Sequence, residues 1–207
     1  MQYVLGNMLN GGGGLNADGL SLDLQFAAYK TLTARKGPTP TFTRASTGTF
    51  VGSNGLIQTA AINTPRFDHT SAGVCRGLLI EEARTNLILQ SENFASGTWS
   101  KAGGSISSVA NVEPDGSANS ELFTEDGANS THRTFQAFTG VSGTSYTLSV
   151  FLKFAGRDQI FLENRSIGTN PIVVFNIQNG TIGFVSPGLT AAIQAYPNGW
   201  YRCSITG

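Results

Sequence analysis

The clearest pattern in the chain is strict alternation. Tyr146, Leu148, Val150, Leu152 and Phe154 are apolar, and the residues between them are mostly polar. A two-residue period places the apolar set on one face of a strand, because successive strand side chains point to opposite sides. Leu20, Leu22, Leu24 and Phe26 alternate with Ser, Asp and Gln in the same way and predict a second strand. Ser53-Asn54-Gly55 reads as a turn between the extended segments 49–51 and 56–58, and Gly77 to Ile80 reads as a short apolar strand. Thr41 to Arg44 starts another extended piece after the breaker Lys36-Gly37-Pro38-Thr39-Pro40. Residues 172–184 form a predicted hairpin. Its Asn179-Gly180 pair suits a two-residue type I′ turn, which would set Ile177 against Ile182 and Phe175 against Phe184 with all four on one face. A last strand runs from Trp200 to Ile205 out of the turn Pro197-Asn198-Gly199. No segment carries a sustained helical period with caps.

These elements predict an all-β chain: an antiparallel, jelly-roll-like β-sandwich over 86–207, preceded by a loop-rich short-strand module over 20–85 and a flexible arm over 1–19. Gly11 to Gly14 carry a high ordering cost, which makes the arm an extended tether. No GK[ST] follows them, so they are not a phosphate-binding loop. Tyr3-Val4-Leu5 offers a short apolar stretch for docking on a neighbour. The chain stops at Gly207, directly after a strand. The partner for that strand comes from earlier in the chain, from another subunit or from a longer protein, and the last two are the favoured expectations.

Composition narrows the function classes. Charged residues are 13% of the 207, hydrophobic residues 40%, and there are 26 glycines and 13 phenylalanines, a mixture suited to strands and turns. The formal net charge is zero, which removes the electrostatic footprint of a nucleic-acid binder. No apolar run reaches the roughly 18 residues that membrane insertion needs, and no leader peptide is legible. Lys30, Arg35, Lys36 and Arg44 form a basic stretch. The five acids Glu113, Asp115, Glu121, Glu125 and Asp126 lie between Lys101 and Arg133 with no base among them. Both groups read as solvated loops. Within the acidic group, Glu113-Pro114-Asp115-Gly116 and Glu125-Asp126-Gly127 present carboxylates and carbonyls of the kind a structural calcium uses, without the spacing of an EF-hand. No other cofactor is expected.

Cys75 and Cys203 lack zinc-site spacing and read as two buried free thiols, with a disulfide as the alternative. His69 and His132 read as loop histidines, since no G-x-S-x-G accompanies them to suggest a triad. Glu81 and Glu82 are neighbours on a strand and face opposite ways, so together they cannot flank one glycosidic bond. No catalytic residue is assigned, and the chain is expected not to be an enzyme. Trp99, Tyr196 and Tyr201 are the candidates for stacking on sugar rings, while Trp200 is expected to pack inward. Arg66, Asp68, Glu81, Glu82 and Arg84 are expected to form structural ion pairs that lock a loop-rich region.

Several phrases in fixed order carry a family resemblance: Leu22-Asp23-Leu24-Gln25-Phe26, Phe42-Thr43-Arg44-Ala45-Ser46-Thr47, Gly55-Leu56-Ile57-Gln58-Thr59-Ala60, Pro65-Arg66-Phe67-Asp68, and Gly77 to Leu87. Residues 20–94 with these phrases resemble a module of bacteriophage tail and other virion proteins. Residues 86–207 are similar to the carbohydrate-binding type of jelly-roll sandwich. Ser91-Glu92-Asn93-Phe94 with Trp99, the Tyr146 strand and Asn198-Gly199-Trp200-Tyr201-Arg202 carry that likeness. The resemblance implies a virion component made in a host bacterial cytoplasm: a tail fibre, a tail-associated adhesin or a head decoration protein. It implies capsid or tail subunits as partners, a homo-oligomer with a trimer favoured, and host glycan as an alternative ligand.

Overall fold

The computed structural model describes residues 2–5, 21–165 and 171–207. The Gly11–Gly14 tether expected in the arm lies outside the described residues. Contacts divide the chain into two compact units, Met1–Arg84 and Thr85–Gly207. Strands dominate both, arranged in several antiparallel sheets. Among the described residues no helix is long and apolar enough to cross a membrane.

In the first unit, strand β1 (Gln2–Leu5) pairs antiparallel with β5 (Cys75–Glu81), whose other neighbour is β4 (Phe67–His69). The apolar docking stretch Tyr3 to Leu5 thus pairs within its own chain. β2 (Gly48–Val51) and β3 (Ile57–Ala60) form the hairpin that Ser53-Asn54-Gly55 predicts. Gly55 takes the positive φ of 78° that the turn needs, and the Asn54 side-chain oxygen accepts the Leu56 N–H at 3.1 Å. Leu78 and Leu79 of β5 are buried, as are Val51 and Ala60 of the hairpin.

Over the described residues 21–26, the strand expected from Leu20 to Phe26 does not form. Asp23 makes one isolated bridge to Lys36, and Phe26–Tyr29 is a single helical turn, α1. The buried residues are Asp23 and Phe26, while Leu22 is exposed. Asp23 bonds through its own backbone to Lys36 and Arg35, and its carboxylate takes Gln25 and Arg35. This closes a loop that local alternation cannot reveal. Thr41 to Arg44 likewise forms no strand.

The second unit contains two short ladders: β6 (Ser100–Ala102) with β9 (Arg133–Phe135), and β7 (Gly104–Ser108) with β8 (Glu121–Glu125). Two three-stranded sheets follow. One has the order β10 (Thr147–Lys153), β15 (Trp200–Thr206), β14 (Thr190–Ala195); the other has β11 (Gln159–Glu163), β12 (Ile172–Asn176), β13 (Thr181–Val185). One apolar cluster joins them. Val173, Phe175 and Ile177 from the second sheet and its turn pack with Cys203 and Ile205 of the first, flanked by Leu148, Leu152, Ile160, Leu162 and Ile193.

Two expectations change here. First, β15 is the middle strand of its sheet, with β10 on one side and β14 on the other. Its partners come from earlier in the same chain, so it needs no strand from another subunit. Second, the Asn179-Gly180 hairpin is not a two-residue turn. Phe175 pairs with Ile182 and Asn176 with Thr181, and the ladder slips between Val173 and Phe175. The side-chain oxygen of Asn176 accepts the N–H groups of Gln178 and Asn179 at 3.1 and 2.9 Å, stabilising a wider loop. Phe175 pairs with Ile182 rather than Phe184, and although Phe175 and Ile177 are buried, Ile182 and Phe184 are 38% and 57% exposed, so only the first two belong to the core. Gly180 (φ 68°) sits under the Tyr201 ring, where an added Cβ would lie 2.5 Å from the ring edge.

Candidate functional site

The resemblance phrases of the first unit converge on a set of arginines and acids. Arg66 is 5% exposed; its Nη1 donates to the Thr49 carbonyl at 2.8 Å and to Glu81 Oε2 at 2.5 Å. One guanidinium therefore ties β2 to the end of β5. Asp68 is buried on β4, accepts the Val51 N–H at 2.9 Å and faces Arg76 at 3.7 Å. Glu82 and Arg84 pair with each other at 2.6 Å in solvent. The five expected ion-pair residues thus divide into Arg66–Glu81, Glu82–Arg84, and Asp68 with Arg76. Arg76 is a partner that sequence reading missed.

Arg44 was expected in a solvated basic stretch, but it works as a clamp. Its Nε donates to the Ser46 carbonyl, Nη1 to the Thr64 carbonyl, and Nη2 to the Ala60 and Ala61 carbonyls, at 2.7, 3.1, 3.1 and 2.5 Å. Its backbone N–H donates to the Asn63 side chain. Burial first, and then the like charge of Arg66, lowers its pKa from the usual value, with Glu81 acting the other way. The signal was the rigid five-donor fork of Arg beside a loop rich in free carbonyls.

His69 is not a loop histidine. It lies on β4, is 4% exposed, and its Nδ1–H donates to the Val51 carbonyl at 3.0 Å. Its Nε2 is buried without a partner. His132 does lie in a loop, with Nε2 3.2 Å from Asp126 Oδ1.

In the second unit the three candidate stacking residues do not form one platform. Trp99 packs on Phe94 with ring centroids 4.6 Å apart, and its Nε1–H donates to the Gln90 carbonyl. It anchors the loop that lines an open cleft of about 510 Å³, formed by Asn86 and residues 88–93. Gln136 holds the same loop through both the N–H and the carbonyl of Leu89. Tyr201 pairs with Leu152 on the core-facing side of the β10–β15–β14 sheet. Tyr196 follows β14 on the opposite side, edge-on to Phe151 at 5.0 Å. Trp200 is buried as expected, but on that opposite side, with its Nε1–H donating to the Val112 carbonyl at 2.8 Å.

That outer side also carries Ser149 and Arg202, joined by a 3.3 Å hydrogen bond, and Gln194, since paired residues share a face. Phe151 was legible in the sequence. If Leu148, Val150 and Leu152 face inward, Phe151 must face out.

The expected calcium acids are local. Ser117 donates from its hydroxyl to Glu113 and to Asp115 at 2.6 and 2.7 Å, and the bonds from Ser117 lower the pKa of Asp115. Glu121 accepts the backbone N–H groups of Phe94 and Ala95, and Glu125 pairs with Arg157. Among the described residues no three His, Cys, Asp or Glu side chains are placed to hold a metal ion.

The two cysteines are free and differ in environment. Cys203 is fully buried on β15, whereas Cys75, at the start of β5, is partly exposed rather than buried as expected. Burial pushes the Cys203 thiol from 9.0 up to about 11. The folded thiol therefore stays protonated where the unfolded one ionises, and its contribution to stability is lost as pH rises from 9.0 to about 11. Iodoacetamide at about pH 8 is expected to label Cys75 alone in the native protein and both cysteines in denaturant. Mass spectrometry showing Cys203 labelled in the folded protein would contradict this packing.

No protein-family model matches the chain, and no curated protein matches it significantly.

Proposed function

We propose that the protein is a structural component of a bacteriophage virion: a tail-fibre, tail-associated or head-decoration protein that works by assembly and display rather than by catalysis. The observation that carries this reading is how the residues of the family phrases are used. Arg44, Arg66 and Asp68 are turned onto backbone carbonyls, a backbone N–H and each other's loops, so their chemistry goes into holding a rigid module. In the second unit, the two sheets sharing one core support the finer reading of a jelly-roll-like sandwich. The protein would be made in the host bacterial cytoplasm, join capsid or tail subunits, and act as a homo-oligomer, for which a trimer is the expected order. Electron microscopy of intact particles with antibody against this chain is expected to mark a fixed site in several copies. Deleting residues 1–19 is expected to abolish incorporation; particles that carry no copies of the full chain would refute the reading.

A specific observation favours host glycan as a second ligand class. Phe151, Tyr196, Gln194 and Arg202 place rings beside polar groups on one outward sheet face. Stacking plus hydrogen bonding is how proteins hold sugar rings. A glycan array probed with the full chain, and with Phe151→Ala, tests it: binding lost in the variant supports the reading, and no binding by the parent chain counts against it.

A further inference from the structure

Edge strands are where a sheet can recruit another chain, and the two edges of the β11–β12–β13 sheet are built differently. β11 lies among charges. Arg157 and Asp158 precede it, Arg157 pairs with Glu125, and Glu163 at its end pairs with Arg165. Charges of this kind discourage pairing with a further strand. β13, Thr181-Ile182-Gly183-Phe184-Val185, carries no charge, and all five of its residues are exposed. Ile182, Phe184 and Val185 are 38%, 57% and 36% exposed, and Phe161 on β11 is 44% exposed. Among the described residues no strand pairs with the outer side of β13.

Gly183 adds an independent point. A glycine inside a strand costs about 0.5–1 kcal/mol relative to alanine. The monomer's own packing does not require one here. An added Cβ would meet the Val174 carbonyl at 3.4 Å, an ordinary contact, and Gly183 does not have a positive φ. A bare backbone in mid-strand suits the close approach of another backbone.

We propose that β13 is a self-association edge, on which β13 of a second copy of this chain pairs antiparallel about a two-fold axis centred on Gly183. That register sets Ile182 beside the partner's Phe184, apolar against apolar, and Thr181 beside the partner's Val185, with no charge on either strand. An isologous contact places each strand against its own sequence. A charged strand would repel itself, and this one has no charge to do so. The two edges of the other large sheet lack this character: β10 is mostly half-buried and ends in Lys153, and the outward residues of β14 are Thr190, Ala192 and Gln194. The contact is two-fold, so it produces dimers; the threefold order expected of a virion fibre would need a different surface. The inference does not depend on the virion reading, and the two can fail separately.

Two five-residue strands are a small interface, so a dissociation constant on the order of micromolar is expected. Sedimentation of the full chain over about 1–100 µM tests it. The parent chain and a Gln194→Lys control on β14 are expected to dimerise. Phe184→Lys and Gly183→Lys, each shown folded by circular dichroism, are expected to weaken the dimer about tenfold or more. Amide exchange of residues 181–185 in the parent chain is expected to slow as concentration rises, a readout that needs no variant. A parent chain that stays monomeric, a dimer or trimer that survives both β13 variants, or a control that dissociates equally would overturn the proposal.

Discussion

Replacing Phe175 with alanine is expected to cost the second unit about 3–5 kcal/mol, the range for deleting a buried aromatic from a core. Phe175 is 0% exposed and lies among Val173, Ile177, Leu189, Cys203 and Ile205. These neighbours come from both large sheets and from two loops, so they cannot close together over the space the ring leaves. Domains are stable by only about 5–15 kcal/mol, which makes this loss a large share of the total. Urea denaturation followed by Trp fluorescence should show a lower midpoint with little change in slope. Phe184→Ala supplies the contrast. That ring is 57% exposed, so its loss from the monomer should fall within about 0.5 kcal/mol. Equal effects at the two positions would contradict the placing of Phe175 in the core and Phe184 at the surface.

Arg66→Ala is expected to destabilise the first unit by about 2–4 kcal/mol, less than a fully buried pair would lose. The guanidinium is buried, but its partner Glu81 keeps 39% of its side-chain surface in water and can be resolvated when Arg66 is removed. The Thr49 carbonyl loses its side-chain donor in the same step. Arg66→Met fills most of the volume without a donor and should fall between the parent and Ala. A double-mutant cycle with Glu81→Gln then isolates the pair itself. Arg84→Ala is the surface comparison. Its pair with Glu82 is exposed on both sides, so a change of about 0–1 kcal/mol is expected. An Arg66→Ala variant as stable as Arg84→Ala would remove the structural role given to the Arg66–Glu81 pair.

The parts legible in the sequence are those governed by neighbours along the chain. The Ser53-Asn54-Gly55 hairpin forms because a side-chain acceptor and a left-handed glycine act within five residues. The Tyr146 to Phe154 alternation gives a strand with Leu148 and Leu152 inward. The same kind of pattern failed over the described residues 21–26, where Asp23 finds Lys36 and Arg35 across a loop and is buried while Leu22 is exposed. In the 172–184 hairpin the turn residues were in the right place. The Asn176 side chain and a slip in the ladder still widened the loop and changed the pairing, and Ile182 and Phe184 stay partly exposed.

The sequence by itself determined that this is a strand-built, turn-rich chain, where several of its strands begin and end, and which residue types were available for pairing. Only the tertiary structure decided that β15 is a middle strand rather than an open edge. It also decided that Tyr196 and Tyr201 face opposite ways, that Asp68 meets Arg76, and that Arg44 clamps a loop. The reason is physical. A strand's period and a turn's geometry are set within a few residues. Strand order, register and ion-pair choice are set by contacts between residues far apart in the chain, whose alternatives look alike along the sequence.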